Sequence, residues 1–229
     1  MEDFSKRFGS QYSMAKGYVV ECEKTSDYKH RFGGSSWKIV DNTPIEDGPA
    51  LLMVLDLCDP RLSGLGISSL DELPICSYIN CDVWLQEQVY KVDSRTKEVL
   101  LISQKAISKG TLDDEDKMPN PLPEKFIDLR EMSDLEYPID EDSYWRNTDD
   151  FLGGRSFFRV AGNPLWLQEP KKINCSCKTQ MSFIMCMGYE GWSGPFQYID
   201  KMPFFLGESA LYFYYCDSCG ELRVISQTS

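Results

Sequence analysis

The sequence predicts an α+β fold, β-rich, in which two pseudo-repeated β units form one body. Three observations carry this prediction: the apolar runs are of strand length, helical periodicity is weak throughout, and a Gly-containing turn with a Trp precedes an apolar run in each half. With 229 residues, 42% of them hydrophobic, the chain can bury a sizeable core as one large domain or two small ones. That composition excludes a fibre, a disordered acidic chain and a stapled mini-protein.

In chain order, residues 51–57 (Leu-Leu-Met-Val-Leu-Asp-Leu) are a nearly continuous apolar run closed by Cys58-Asp59-Pro60, as expected for a strand covered on both faces. Ser68 or Ser69, ahead of Leu70-Asp71-Glu72-Leu73, supplies the N-cap of one short helix. Residues 89–92 and 98–103 flank a polar loop and predict a hairpin. Residues 111–150 hold fourteen acidic and four basic side chains, a net of −10 out of −12, together with Pro119, Pro121, Pro123 and Pro138. This interval predicts an extended acidic connector, with one helical turn near residues 126–132, between an N-terminal unit (1–110) and a C-terminal unit (151–229). Residues 181–187 and 211–215 are again runs of strand length.

The two units share a module. Phe32-Gly33-Gly34-Ser35-Ser36-Trp37 leads to the strand at residue 51, and Ala161-Gly162-Asn163-Pro164-Leu165-Trp166 leads to the strand at residue 181, at nearly equal distances. Gly34 and Gly162 are expected to let the backbone approach closely, and Trp37 and Trp166 to pack beneath the two turns as structural anchors.

Charge narrows the partners. A net of −12 without a Lys/Arg stripe opposes phosphate, so nucleic acid and membrane surfaces are not expected partners, whereas a basic protein is a good electrostatic match. Charged residues at Met1-Glu2-Asp3-Phe4-Ser5-Lys6-Arg7 do not suit a secretory leader, and no apolar run reaches eighteen residues. A cytoplasmic location is expected. In a reducing compartment the nine cysteines should be thiols, or metal ligands where they pair.

Two pairs stand out. Cys175-Ser176-Cys177 and Cys216-Asp217-Ser218-Cys219, the second followed by Gly220, offer two thiolates each, enough to close a tetrahedron around one structural zinc. The alternative is a ribbon of free thiols, or small buried cysteines acting as hydrophobes. Cys22, Cys58, Cys76, Cys81 and Cys186 lack knuckle spacing.

No catalytic residue is assigned. His30, the single histidine, lies between Lys29 and Arg31, an ordinary setting for an exposed ring. Gly33-Gly34 and Gly153-Gly154 lack the context of a phosphate-binding loop. Aromatics are dense near the C-terminus, and alternation along residues 211–215 should turn some rings outward. Tyr212 and Tyr214 are therefore candidates for a peptide-binding face, and Asp113, Asp114, Glu115 and Asp116 for recruitment of a basic partner.

The second half also resembles a known family. Ala161-Gly162-Asn163-Pro164-Leu165-Trp166-Leu167-Gln168-Glu169-Pro170, then Cys175-x-Cys177, then Met181-Ser182-Phe183-Ile184, then Leu211-Tyr212-Phe213-Tyr214-Tyr215-Cys216-x-x-Cys219 is similar to the pattern of the YwqG-like proteins of bacteria and the programmed-cell-death-2-like proteins of eukaryotes. Ala161 stands where the pattern has glycine, and a CxC replaces one CxxC. The resemblance implies a mixed, β-rich fold with internal pseudosymmetry and structural parts for Gly162, Trp166 and Gln168. It also implies work as a dedicated chaperone of a basic protein, or as an immunity protein. Both lines give an intracellular, non-catalytic protein-binding module. The rival is a metal-dependent enzyme in which one of the four thiolates leaves a coordination position open.

Overall fold

The computed structural model describes residues 16–22, 26–42, 44, 48–79, 83–109, 118–137, 141–154, 156–190, 197–200 and 209–228. Its strands are β1 (Tyr18–Cys22), β2 (Arg31–Phe32), β3 (Lys38–Val40), β4 (Ala50–Asp56), β5 (Glu72–Ser77), β6 (Val83–Asp93), β7 (Glu98–Lys109), β8 (Lys125–Glu131), β9 (Leu152–Gly153), β10 (Phe158–Val160), β11 (Ser182–Met187), β12 (Tyr189–Glu190), β13 (Ser209–Cys216) and β14 (Glu221–Thr228). Twelve of them form one large, nearly closed, barrel-like sheet in the order β3-β7-β6-β14-β13-β11-β10-β1-β8-β2-β4-β5, so the β-rich class is observed. Strands β9 and β12 make a separate parallel pair.

The apolar runs dictate the strands they were expected to. β4 is buried on both faces except at Asp56, and its continuous Leu-Leu-Met-Val-Leu run meets apolar neighbours on either side. The polar loop at residues 94–97 closes the β6–β7 hairpin. Strand β13 alternates between two cores. Leu211, Phe213 and Tyr215 join the large core inside the sheet, while Ala210, Tyr212, Tyr214 and Cys216 join a second core on the opposite face. Trp166, Phe151 and Tyr144 belong to that second core, and Trp37 belongs to the first. The two sequence-related Trp residues thus fill different layers.

Three expectations fail. Residues 126–132 form no helical turn: residues 126–131 lie in β8, which pairs antiparallel with β1 on one side and β2 on the other. A period of two decides this, since Ile127 and Leu129 are buried while Phe126, Asp128 and Arg130 face the other way. Ser68 and Ser69 cap no helix. The only helical turn nearby is a 3₁₀ helix at Pro60–Leu65, capped by Asp59, whose carboxylate accepts the N–H of Arg61; residues 72–77 continue as β5. Finally, the described part of the 111–150 interval is no mere connector, because it supplies β8 and helix α1 (Glu141–Phe151). The helix docks through Tyr144, Asn147, Thr148 and Phe151, spaced i, i+3, i+4 and i+7.

The halves also interleave. β14 pairs with β6, and β1 lies between β8 and β10. Among the described residues no helix is long and apolar enough to cross a membrane.

Candidate metal centre

Strands β13 and β14 meet in a tight turn that carries Cys216 and Cys219. The N–H groups of Cys219 and Gly220 both donate to the Cys216 carbonyl, at 3.3 and 2.8 Å, and Gly220 has a φ of 69°, a region glycine enters without steric cost. Cys175 and Cys177 sit in a second small turn, closed by the Asn174–Gln180 bridge. There the N–H of Cys175 donates to the Thr179 carbonyl and that of Lys178 to the Cys175 carbonyl, each at 2.9 Å. Each turn aims its two sulfurs at the other turn.

The four Sγ atoms of Cys175, Cys177, Cys216 and Cys219 lie within 4.8 Å of one another, and those of Cys177 and Cys216 are 3.7 Å apart. A tetrahedral zinc with Zn–S bonds of about 2.3 Å sets its sulfurs roughly 3.8 Å apart, so the tetrad needs only a small contraction to take the ion. Cys175 and Cys216 are buried, Cys219 is half-buried and Cys177 is exposed. Hydrogen bonds from Cys175 and Thr179 pull the Cys177 thiol down to about 6. Burial pushes up Cys175, and raises Cys219 to about 12. A divalent cation offsets that penalty by stabilising every thiolate at once.

Neighbouring groups fix the two turns. The Glu221 carboxylate accepts the N–H of Ser176 at 3.0 Å and is itself held by Arg223, with Nη2 at 2.5 Å. Burial lifts the Glu221 carboxyl, but the donors from Ser176 and Arg223 outweigh it and leave its pKa below the ordinary carboxylate range. Lys91 donates its ammonium to the Cys219 carbonyl and so places a cation beside the anionic cluster. Asp217, inside the CxxC turn, reaches away from the sulfurs to the backbone and hydroxyls of Ser68 and Ser69.

The other expected site residues fall elsewhere. Tyr212 and Tyr214 do not form an exposed face and are corrected here as buried residues of the second core. Alternation does turn them away from the barrel interior, but the segment at residues 164–168 and helix α1 cover them. Trp166 stacks on Tyr212 with ring centroids 4.7 Å apart, and the Tyr212 hydroxyl donates to the Leu165 carbonyl at 2.8 Å. Gln168 is exposed, and its contribution comes from its backbone N–H, which donates to Gln227 Oε1 at 2.9 Å. Trp37 is buried with Lys97 Nζ 6.0 Å from its ring centroid, and Gly34 has a φ of 83° beside Glu124. Asp113, Asp114, Glu115 and Asp116 lie outside the described residues.

His30 is fully buried rather than exposed. Its Nδ1 accepts the N–H of Asp56 at 3.0 Å, so its proton sits on Nε2, which faces Asp59 Oδ2 at 2.9 Å. Asp59 in turn accepts from Arg61, which also pairs with Asp128. The two ring nitrogens thus tie the end of β4 to the cap of the 3₁₀ turn, while Arg61 carries that turn to β8, and sequence reasoning missed this because Asp56 and Asp59 lie 26 and 29 residues away. A cleft of about 280 Å³ beside Trp37 contains Asp41 as the one carboxylate among its described lining residues, and that carboxylate accepts the Tyr78 hydroxyl.

Comparison of the chain with protein-family models, with curated proteins and with solved structures finds no match.

Proposed function

We propose that the protein is a non-catalytic binding module for a basic protein, with its C-terminal layer stapled by one structural zinc on Cys175, Cys177, Cys216 and Cys219. The observation that carries this reading is the sulfur tetrad, within 4.8 Å on two separate turns. Four thiolates fill a tetrahedron, and this favours a structural ion over one that activates a substrate in an open position. When bound, the ion would supply cross-linking of the two turns, and the chain's own contribution is orientation through Glu221, Arg223 and Lys91.

Charge supports the partner class. The described part of the acidic interval exposes Asp134, Asp142 and Asp149, with Leu135 at 75% and Trp145 at 50% exposure beside them in the sequence. Acidic groups around exposed apolar side chains suit a cationic protein surface with apolar anchors. The resemblance to YwqG-like and programmed-cell-death-2-like proteins points the same way, towards a chaperone-like or immunity-type role in the cytoplasm.

The test is affinity capture with the full chain at low and high salt, followed by association rates for the captured basic partner. Opposite-charge steering fades as the Debye length falls from about 10 Å at 0.1 M salt to about 3 Å at 1 M. Neutralising Asp113, Asp114, Glu115 and Asp116 to Asn or Gln should slow association several-fold at low salt only. Equal salt slopes for wild type and variant would remove the acidic segment from the interface.

A further inference from the structure

Of the four clustered sulfurs, only that of Cys177 belongs to an exposed residue, and the Cys216 sulfur lies 3.7 Å from it. Cys216 is followed by Asp217, whose carboxylate is gripped from a distant part of the chain. Its Oδ1 accepts the N–H of Ser68 at 3.2 Å and of Ser69 at 3.0 Å, and the Ser69 hydroxyl at 2.5 Å; its Oδ2 accepts the Ser68 hydroxyl at 3.0 Å. These four bonds tie residues 66–71, the link between the 3₁₀ helix and β5, to the CxxC turn. Anything that pulls Cys216 towards Cys177 displaces the residue next to it.

We propose that the cluster is a peroxide-responsive switch: oxidation joins Cys177 to Cys216 and releases residues 66–71 from Asp217. The inference rests on the zinc reading above and adds regulation to it. The Cys177 thiolate attacks one oxygen of hydrogen peroxide, the O–O bond breaks, hydroxide leaves and Cys177 becomes a sulfenic acid. The Cys216 thiolate then attacks that sulfur, the S–S bond forms, the S–O bond breaks and a second hydroxide leaves. Two thiolates have lost two electrons, peroxide has gained them, and two protons from the buffer acid convert the two hydroxides to water. Cys175 and Cys219 alone do not close a tetrahedron, so metal affinity collapses with the same event. The bond from Cys177 to Cys216 draws in the CxxC turn, and the Asp217 clamp loses its alignment with Ser68 and Ser69.

The experiment uses the zinc-loaded full chain with stoichiometric hydrogen peroxide. It follows zinc release with a chromogenic chelator, the disulfide by peptide mass mapping, and amide exchange across residues 66–71. The expected result is release of the zinc, a Cys177–Cys216 disulfide and exchange at residues 66–71 faster by about tenfold, all reversed by dithiothreitol with added zinc. The double variant Ser68→Ala/Ser69→Ala, which leaves every sulfur in place and removes the two hydroxyl bonds while keeping the two from backbone N–H groups, should show faster exchange than wild type before oxidation and a smaller rise after it. Absence of bound zinc before peroxide is added overturns the metal reading and the switch with it. Zinc retained after peroxide, a disulfide between other partners, or zinc lost with no change at residues 66–71 overturns the switch alone.

Discussion

The Glu221 carboxylate accepts the backbone N–H of Ser176 at 3.0 Å. The residue that opens β14, directly behind one Cys pair, therefore fixes the turn that carries the other. Outer groups of this kind orient metal ligands, and losing one weakens metal binding by about 10–100-fold. Glu221→Ala should show that loss in a chelator competition while far-UV circular dichroism stays unchanged. Undiminished affinity would mean that the two turns hold their relative position without the brace.

Tyr212 and Tyr214 share one face of β13 and differ in one respect. The Tyr212 hydroxyl sits between the Leu165 carbonyl and the Leu167 N–H, whereas the Tyr214 hydroxyl is buried with no partner among the described residues. Tyr212→Phe should cost about 1–3 kcal/mol because it removes the donor to the buried Leu165 carbonyl, the Leu167 N–H keeping its second acceptor in Gln227 Oε1 at 3.1 Å, and Tyr214→Phe should be neutral or gain up to about 1 kcal/mol. Denaturant melts of both variants decide it, and equal losses would contradict the assignment. Trp166→Ala, which empties the stack over Tyr212, should cost about 3–5 kcal/mol.

Ala161 and Gly162 both have positive φ, 56° and 67°. A Cβ on Gly162 would stand 2.5 Å from the Gly17 nitrogen, so Gly162→Ala forces backbone apart as well as adding strain, at about 1–3 kcal/mol. Ala161→Gly relieves a left-handed alanine and should be neutral or stabilising. Melting temperatures that move in the same direction for the two variants would contradict this account.

Much of this was legible in the chain. β4, β11 and β13 follow from apolar runs, and the sulfur tetrad follows from the two Cys pairs. The rest depends on distant partners or on weak local signals. β8 is announced only by Ile127 and Leu129 alternating with charges in an acidic, Pro-containing stretch. The buried face of α1 contains Asn147 and Thr148, which are satisfied by the Leu135, Ser143 and Tyr144 carbonyls, so its apolar periodicity is incomplete. The outward rings of β13 become a core only because the segment at residues 164–168 folds over them. Nothing local to Asp217 announces Ser68 and Ser69.

Acid should find a specific weak point. The Arg130 guanidinium holds the Glu136 carboxyl down to about 2, helped by Ser133 against the opposing effect of burial. A depressed folded-state pKa means the stabilisation is present in full above the ordinary carboxylate range, near pH 4.5, and fades as pH falls towards 2. Glu136→Gln should lower stability at neutral pH, by an amount that solvent screening reduces, and flatten its decline across that window, because glutamine does not titrate. Parallel pH profiles for the two proteins would assign the acid sensitivity to other groups.

The central claim is that Cys175, Cys177, Cys216 and Cys219 hold one zinc that stabilises the fold, and elemental analysis of protein purified without added metal tests it most directly. The account predicts one equivalent of zinc per chain, lost together with thermal stability in Cys216→Ser. Metal-free protein with four freely reactive thiols and an unchanged melting temperature in that variant would contradict it.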